Sequence, residues 1–450
     1  MYQPSDDPHP IPAFYAQFAP PAPATQPLTG NLRSRVAVIG AGFTGVSTAL
    51  HLAERGIETV VLEARSIGWG ASSRNFGQIV PYFKHDQDHV IHRFGVERGE
   101  QMINAVAQGP DLVFSLIERH AIACSAVRKG LIFGAHSPAG RAQLERRSEF
   151  WRARGAPVEM FDGDAAAALI GSRYYEACSL DRRGGTINPL AYVRGLAAAA
   201  IRAGAKICTE TAALRLERRG NDWCALTPRG EVLADTVVLA SNAYTSAQLW
   251  PGLRQSIIPM RAYQFVSRPL GDNLRRSVLP QGQPLTDTRH LFSGIRLHPD
   301  GRLQSSADGP AFRVGGSGKP AQAARRIAET FPQLGSLDWE FAWAGWIAMT
   351  YDQYPHLHRL APGLWAGLGY SGRGIALATM MGREIAELIA GTDAAVLPLP
   401  VTPLQPRAMT RIARPMVGAL LAYYRRLDAR DSARRRRKTR HDDSRSRPAK

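Results

Sequence analysis

What this sequence of 450 residues lacks is the first guide to it. It has only four cysteines, Cys124, Cys178, Cys208 and Cys224, scattered with no CxxC pair. That spacing offers no disulfide framework, zinc site or dithiol redox centre, and the cysteines read as reduced structural thiols. No apolar run approaches the roughly 20 residues that span a bilayer, and the first residues lack the basic, apolar, small-residue order of a signal peptide. A cytoplasmic protein is therefore expected. Acidic residues are in deficit, with 38 Asp and Glu against 56 Lys and Arg, a formal net charge of +18. Much of the surplus lies in a tail that contains the unbroken basic run Arg434 to Lys438 and too little apolar surface to fold. No aromatic interleaving or nucleic-acid module accompanies it, so nucleic acid is not an expected partner.

What is present is enough apolar content, 44%, to fill two or three interleaved cores. Residues 1–32 are rich in proline (Pro8, Pro10, Pro12, Pro20, Pro21, Pro23, Pro27), which favours an extended arm lying on the body over a helix. From Arg35 a buried strand, Val36 to Ile39, leads into a glycine turn, a helix through Gly45 to Arg55, and a second strand, Thr59 to Leu62. This is a βαβ unit, the opening of a doubly wound parallel sheet. Helix Leu190 to Ala203 and the strands near Lys206 to Cys208 and Thr236 to Ala240 read as returns to it. Strand-like runs at Ile257 to Pro269 and Leu291 to Ser306, the latter broken by Pro299-Asp300-Gly301, suggest an antiparallel sheet in a second domain.

The strongest local signal is Gly40-Ala41-Gly42-Phe43-Thr44-Gly45, placed where a strand ends and a helix begins. Gly40 permits the tight turn, Gly42 lets a pyrophosphate approach the backbone, and Gly45 allows close helix-to-strand packing, while the helix start supplies N–H donors. Glu63, with Ala64 and Arg65 behind it, closes the second strand where a carboxylate can accept ribose hydroxyls. The small and hydroxylated run Gly68-Trp69-Gly70-Ala71-Ser72-Ser73-Arg74-Asn75-Phe76-Gly77-Gln78 suits a loop wrapped against an extended cofactor, though a glycine-serine surface loop would have the same composition.

Together with Asn188 to Leu196, Trp343 to Asp352 and Gly369-Tyr370-Ser371-Gly372-Arg373-Gly374-Ile375-Ala376-Leu377, these segments resemble the FAD-dependent D-amino-acid-oxidase-like superfamily, and within it the gamma-glutamylputrescine oxidase-like branch. The resemblance runs from about residue 14 to about residue 427. It implies an α/β plus antiparallel β protein: a discontinuous, Rossmann-like FAD-binding domain (33–84, 152–250 and 337–400) and a mixed substrate domain of antiparallel sheet and helices (85–151 and 251–336). A C-terminal helix at 405–428, begun by Pro415 with Met416, Leu420, Tyr424 and Leu427 on one face, and a disordered basic tail at 429–450 complete the expected organisation. Helix and tail together could touch a membrane surface weakly.

By the same resemblance FAD is bound non-covalently. Ala213 and the strand end Ala240 to Asn242 approach the adenosine half, and Gly369 to Ile375 form the turn and helix start at the flavin ring. Donors there, with cationic Arg373, would stabilise the charge of the reduced ring. The chain departs from its relatives at Phe76, where many have glycine, at Arg373, where many have histidine, and at Ile347. There amino-acid-oxidising relatives resemble Gly-Leu-Arg-Pro, with an arginine forking onto the substrate carboxylate, whereas this chain reads Gly345-Trp346-Ile347-Ala348. The expected activity is therefore oxidation of an amine C–N bond by hydride transfer to flavin N5, giving an imine that hydrolyses, with oxygen or another acceptor taking the electrons. Trp346, Met349 and Tyr263 are expected to line the substrate pocket. The alternatives are a D-amino-acid oxidase or dehydrogenase anchored by Arg296 or Arg261, and a degenerate flavoprotein acting as a binding module. Gly315 to Lys319 lacks the spacing of a phosphate loop, and His85, His89 and His92 lack a carboxylate partner motif, so no metal is expected.

Overall fold

The computed structural model describes residues 10–291, 294–309, 319–407, 419 and 422–430, and these divide into two units. The first holds 10–127, 185–261 and 343–407. The second holds 128–184, the described part of 262–342, and the described C-terminal residues.

In the first unit, strand Leu32–Ile39 ends in four successive buried residues, the pattern of a parallel strand covered on both faces. It pairs in parallel with Thr59–Leu62 on one side and Gly230–Leu239 on the other. Lys206–Cys208 extends the sheet beyond Thr59–Leu62, and Leu364–Leu368 beyond Gly230–Leu239, both in parallel. His356–Ala361 closes the sheet antiparallel to Leu364–Leu368, and the hairpin Arg215–Arg219 and Asp222–Thr227 folds off Gly230–Leu239. The helix after the first strand, Phe43–Ala53, is buried along its whole length and packs between helices Pro189–Arg202 and Gly374–Ile389. Gly382 makes the second contact possible, since a Cβ there would lie 2.5 Å from Ser47 Cβ and 2.6 Å from Thr44 O. The N-terminal arm is not wholly extended: between Pro12 and Pro20 a short helix, Ala13–Gln17, buries Phe14 and Tyr15. Phe14 stacks on Trp343 with ring centroids 6.2 Å apart, and Asn188 Nδ2 donates to Tyr15 O.

The second unit contains most of a mixed sheet in the order Trp339–Met349, Ile258–Pro269, Arg302–Gly309, Ile295–Leu297, Leu285–Asp287, Leu131–Gly134, Ala177–Asp181, Val158–Asp162, residues 343–349 and 258–261 of its first two strands being counted with the first unit. The expected antiparallel sheet includes a parallel pair, Leu285–Asp287 with Leu131–Gly134. Its core gathers Ile132, Ile170, Leu180, Val278, Leu285 and Phe331. Asp287, fully buried, accepts a bond from Tyr175 Oη at 2.8 Å and pairs with Arg326.

The chain is divided differently from the expected domains. Residues 85–127, expected in the substrate domain, lie in the first unit, where helix Gly109–Arg119 meets Gly374–Ile389 at Gly109, and Val127 bridges to Thr186. Residues 152–184, expected in the FAD-binding domain, lie in the second, because Val158–Asp162 and Ala177–Asp181 pair with each other and the latter with Leu131–Gly134. At the C-terminus residues 422–430 are helical, including Ala429 and Arg430 of the expected tail, whereas 405–407, within the span expected for the helix, are not. Asp428 fixes this segment by accepting from the amides of His290 and Leu291. Pro415, Met416, Leu420, the basic run Arg434 to Lys438 and the glycines of Gly315 to Lys319 lie outside the described residues. No helix among the described residues is long and apolar enough to cross a membrane.

Candidate functional site

The carboxyl ends of the three central parallel strands converge on Gly40. Its amide donates to Leu62 O at 2.8 Å, and Ala240 N donates to Ile39 O at 2.9 Å. Gly40 has φ +108°, and a Cβ there would press on Ala240 O at 3.1 Å. Gly45 leaves no room at all, since a Cβ would sit 1.8 Å from Gly40 O, so the helix start lies flush on the strand exit. Gly42 caps the helix in extended conformation, and a Cβ would come within 3.0 Å of Ser72 Oγ, which accepts from Phe43 N at 2.9 Å. This cradle, with glycine at three of its six positions and at a helix start, fits a diphosphate. Thr44 Oγ1 lies 2.5 Å from Tyr370 Oη, tying the cradle to the later glycine segment.

Glu63 lies beside the cradle. Its Oε2 accepts from Ala41 N and its Oε1 from Arg65 N, each at 2.8 Å. Burial pushes this carboxyl above its usual range, and the two amide bonds pull it part of the way back. The main chain of Thr211 and Glu210 donates to the carbonyls of Glu63 and Arg65, which brings the segment of Ala213 to the same strand end, next to exposed Ala64. A half-buried acid held by backbone donors suits ribose hydroxyls.

The loop at 68–78 is knitted to its surroundings from both ends. Gly68 N donates to Ala41 O at 3.0 Å, and a Cβ on Gly70 would lie 2.9 Å from Tyr244 Cε2. Asn75 Nδ2 donates to the carbonyls of Ala71 and Ser72, and its Oδ1 accepts from Gly77 N, while Ser73 is buried. Arg74, 2% exposed, donates from Nε to Trp69 O and from a terminal nitrogen to Ala344 O, and Arg74 O accepts from Trp343 Nε1. Gln78 pairs with Thr186 in a two-residue ladder, and Phe76 is buried.

Gly369 to Gly374 turn sharply, with positive φ at Gly369, Ser371 and Gly372, before helix Gly374–Ile389 begins. Asn242, itself at φ +46°, accepts from Gly369 N at 2.9 Å, so the strand end near Ala240 is bonded to this turn. Arg373 caps the helix by its backbone and donates a guanidinium hydrogen to Tyr82 O. Positive backbone donors and a cation at one helix start are what an anion-developing ring requires.

The residues expected to line a substrate pocket are divided between the two units. Trp346 is buried, with the Arg261 guanidinium 5.4 Å from its ring, and Met349 is half-buried three residues on, all in the first unit. Tyr263 belongs to the second unit, where it packs on the cluster Phe265, Ala307 and Ala323. Arg296 is buried in the second unit. Ile347 faces the glycine turn, its Cδ1 4.0 Å from the position of a Cβ on Gly372. His85 precedes helix Gln87–Phe94 instead of sharing it with His89 and His92; the His85 and His89 rings stack at 3.9 Å, and His89 Nδ1 meets Tyr354 Oη at 2.8 Å. Among the described residues no group of three or more His, Cys, Asp or Glu could hold a metal ion. Tyr244 and Thr211 join the site without having been singled out in the sequence; only their position just past strand ends marks them.

A family model described as FAD dependent oxidoreductase (DAO) matches residues 35–388. The chain is similar to gamma-glutamylputrescine oxidoreductase of Escherichia coli (strain K12), 31% identical over 92% of this chain and 97% of that protein. It is also similar to glycine oxidase of Geobacillus kaustophilus (strain HTA426), 26% identical over 79% of this chain and 93% of that one. Among solved structures, L-proline dehydrogenase from P. horikoshii superposes with TM-score 0.70 at 21% identity, covering 83% of this chain and 96% of that one, a likeness of fold.

Proposed function

The chain belongs to the DAO family of FAD dependent oxidoreductases, which act on amine and amino-acid C–N bonds, and from that premise we propose that its substrate is an amine whose carboxylate lies several bonds from the oxidised carbon, of the gamma-glutamylputrescine kind. Ile347 carries the reading. It is half-buried against the glycine turn, at the position where the family resemblance implies, for amino-acid-oxidising members, an arginine that forks onto a carboxylate beside the reacting carbon. An apolar branched side chain offers that carboxylate no partner, and leaving it desolvated costs enough to reject simple amino acids.

Bound FAD supplies the two-electron acceptor for the C–N bond, and oxygen or another acceptor then takes the electrons. The chain's own work is binding and polarisation. Gly40 to Gly45 take the diphosphate, and Glu63 takes the ribose with Ala64 and Arg65 beside it. Gly70 to Gln78 fold over the cofactor, while Ala213, Ala240 and Asn242 border the adenosine half. Gly369 to Ile375 with Arg373 hold the charge that develops at the ring, and Trp346 and Met349 border the amine. A second reading, a D-amino-acid dehydrogenase, draws on one observation: a buried cation, Arg261, lies beside Trp346.

One titration separates the two. Gamma-glutamylputrescine, putrescine, glycine and D-alanine are each added without oxygen to the yellow protein, and loss of flavin visible absorbance is followed. Rapid bleaching by the first, with glycine and D-alanine at least about a hundredfold slower, is expected. Bleaching by D-alanine in preference to the amines would overturn the proposal and move the assignment to the second reading.

A further inference from the structure

Trp69 meets three side chains around the cradle, Arg65, Arg74 and Tyr244. Its ring has the Arg65 guanidinium carbon 5.3 Å and the Arg74 guanidinium carbon 5.0 Å from its centroid. Tyr244 meets it edge-on at 5.6 Å. Its carbonyl accepts from Arg74 Nε at 3.0 Å. Each of these partners belongs to a different part of the cofactor cradle. Arg65 follows the ribose acid by two residues and gives it an amide hydrogen bond. Tyr244 follows the strand end whose Asn242 holds the glycine turn, and Arg74 is bonded to Ala344 and Trp343 of the strand Trp339–Met349. Directly before Trp69, Gly68 N reaches Ala41 of the fingerprint.

We infer that Trp69 is the positioning residue of the cofactor loop. Its indole face draws the two guanidinium groups together, and so fixes the acid, the strand end and loop 68–78 in one arrangement before FAD arrives. The attraction of a cation for an indole face is strongest when the pair is shielded from water, as beside buried Arg74. Pre-ordering a loop tightens binding by removing its ordering cost, and the gain falls mainly on the rate of release. The inference rests on the FAD reading of the same cradle and goes beyond it by naming what sets cofactor retention.

The test uses the full chain stripped of flavin, with FAD added back and followed by the change in flavin fluorescence. Trp69→Ala is expected to weaken FAD about tenfold, mostly through faster release, and Trp69→Phe to restore most of it. Arg65→Ala, a change at an exposed side chain that tests the same contact if Trp69→Ala does not fold, is expected to weaken FAD a few-fold. The melting temperature of the flavin-free protein should stay the same in Trp69→Phe and Arg65→Ala, while the rise produced by FAD shrinks in Arg65→Ala. Wild-type FAD uptake with unchanged affinity and release in Trp69→Ala, or in Arg65→Ala if that is the variant that folds, would overturn the inference and leave the FAD reading standing. A wild-type chain that takes up no FAD would remove both.

Discussion

Two carboxyl groups of the first unit are pushed toward neutrality by burial, and they differ in what opposes it. At Glu63 two backbone amides at 2.8 Å donate to the carboxylate and work against the burial. Glu384, on helix Gly374–Ile389, is 2% exposed; its Oε2 has no hydrogen-bond partner among the described residues, and the nearest cation, Arg383, stands 3.6 Å from Oε1. Its pKa is raised from 4.5 to about 7 because burial disfavours the charged form. The folded state thus holds the proton more tightly than the unfolded chain does, so the contribution to stability is complete below about pH 4.5 and is lost as pH rises through about 7. Glu384→Gln removes that dependence. Thermal unfolding should give equal stability for variant and wild type at or below about pH 4, and a variant more stable by up to roughly 3 kcal/mol above pH 8. Equal stability at both values would show that the carboxylate has a partner in solution.

At the scale of elements, the packing of helix Phe43–Ala53 against Gly374–Ile389 joins the glycine fingerprint to the turn at Gly369 to Gly374. Gly382 is the point of closest approach. A Cβ there meets backbone and Cβ atoms at 2.5 and 2.6 Å, none of which can rotate away, so the helices must separate. Gly382→Ala should cost about 3 kcal/mol and release FAD, measured by urea unfolding and by flavin content after purification. Gly271→Ala, where a new Cβ meets nothing within 4 Å, should stay within about 0.5 kcal/mol and serves as the control. This contact also marks the limit of what the sequence shows. The fingerprint, its strand and its acid are legible because strand, turn and helix follow one another within a few residues and each has its own periodicity. Thr44 with Tyr370, or Asn242 with Gly369, are hydrogen-bond partners 326 and 127 residues apart, and no local pattern announces them. The misplacement of 85–127 and 152–184 has the same cause, since helical and strand periodicity reveal an apolar face but not the surface that covers it.

At the scale of the whole molecule, each unit is assembled from separated stretches of chain. The first depends on three: the fingerprint and its acid, the strand Gly230–Leu239 with its end at Asn242, and the segment from Trp343 onward. A ligand that touches all three joins them non-covalently, so its binding energy adds to the stability of every element they hold in common. No comparable demand falls on the inner strands of the second unit, which pack on a core of their own around Ile132, Leu180 and Leu285. Hydrogen exchange of the flavin-free chain, compared with the same chain at an FAD concentration about a hundred times its dissociation constant, should show this division. Protection corresponding to as much as about 2.7 kcal/mol is expected in Leu32–Ile39, Thr59–Leu62 and Gly374–Ile389, with Leu131–Gly134 and Ala177–Asp181 exchanging at unchanged rates. Equal slowing in both sets would mean that the two units open together and that the cofactor stabilises the chain as a single cooperative body. Slowing confined to Leu131–Gly134 and Ala177–Asp181 would place FAD away from Gly40 and Glu63, and the assignment of the cradle would be wrong.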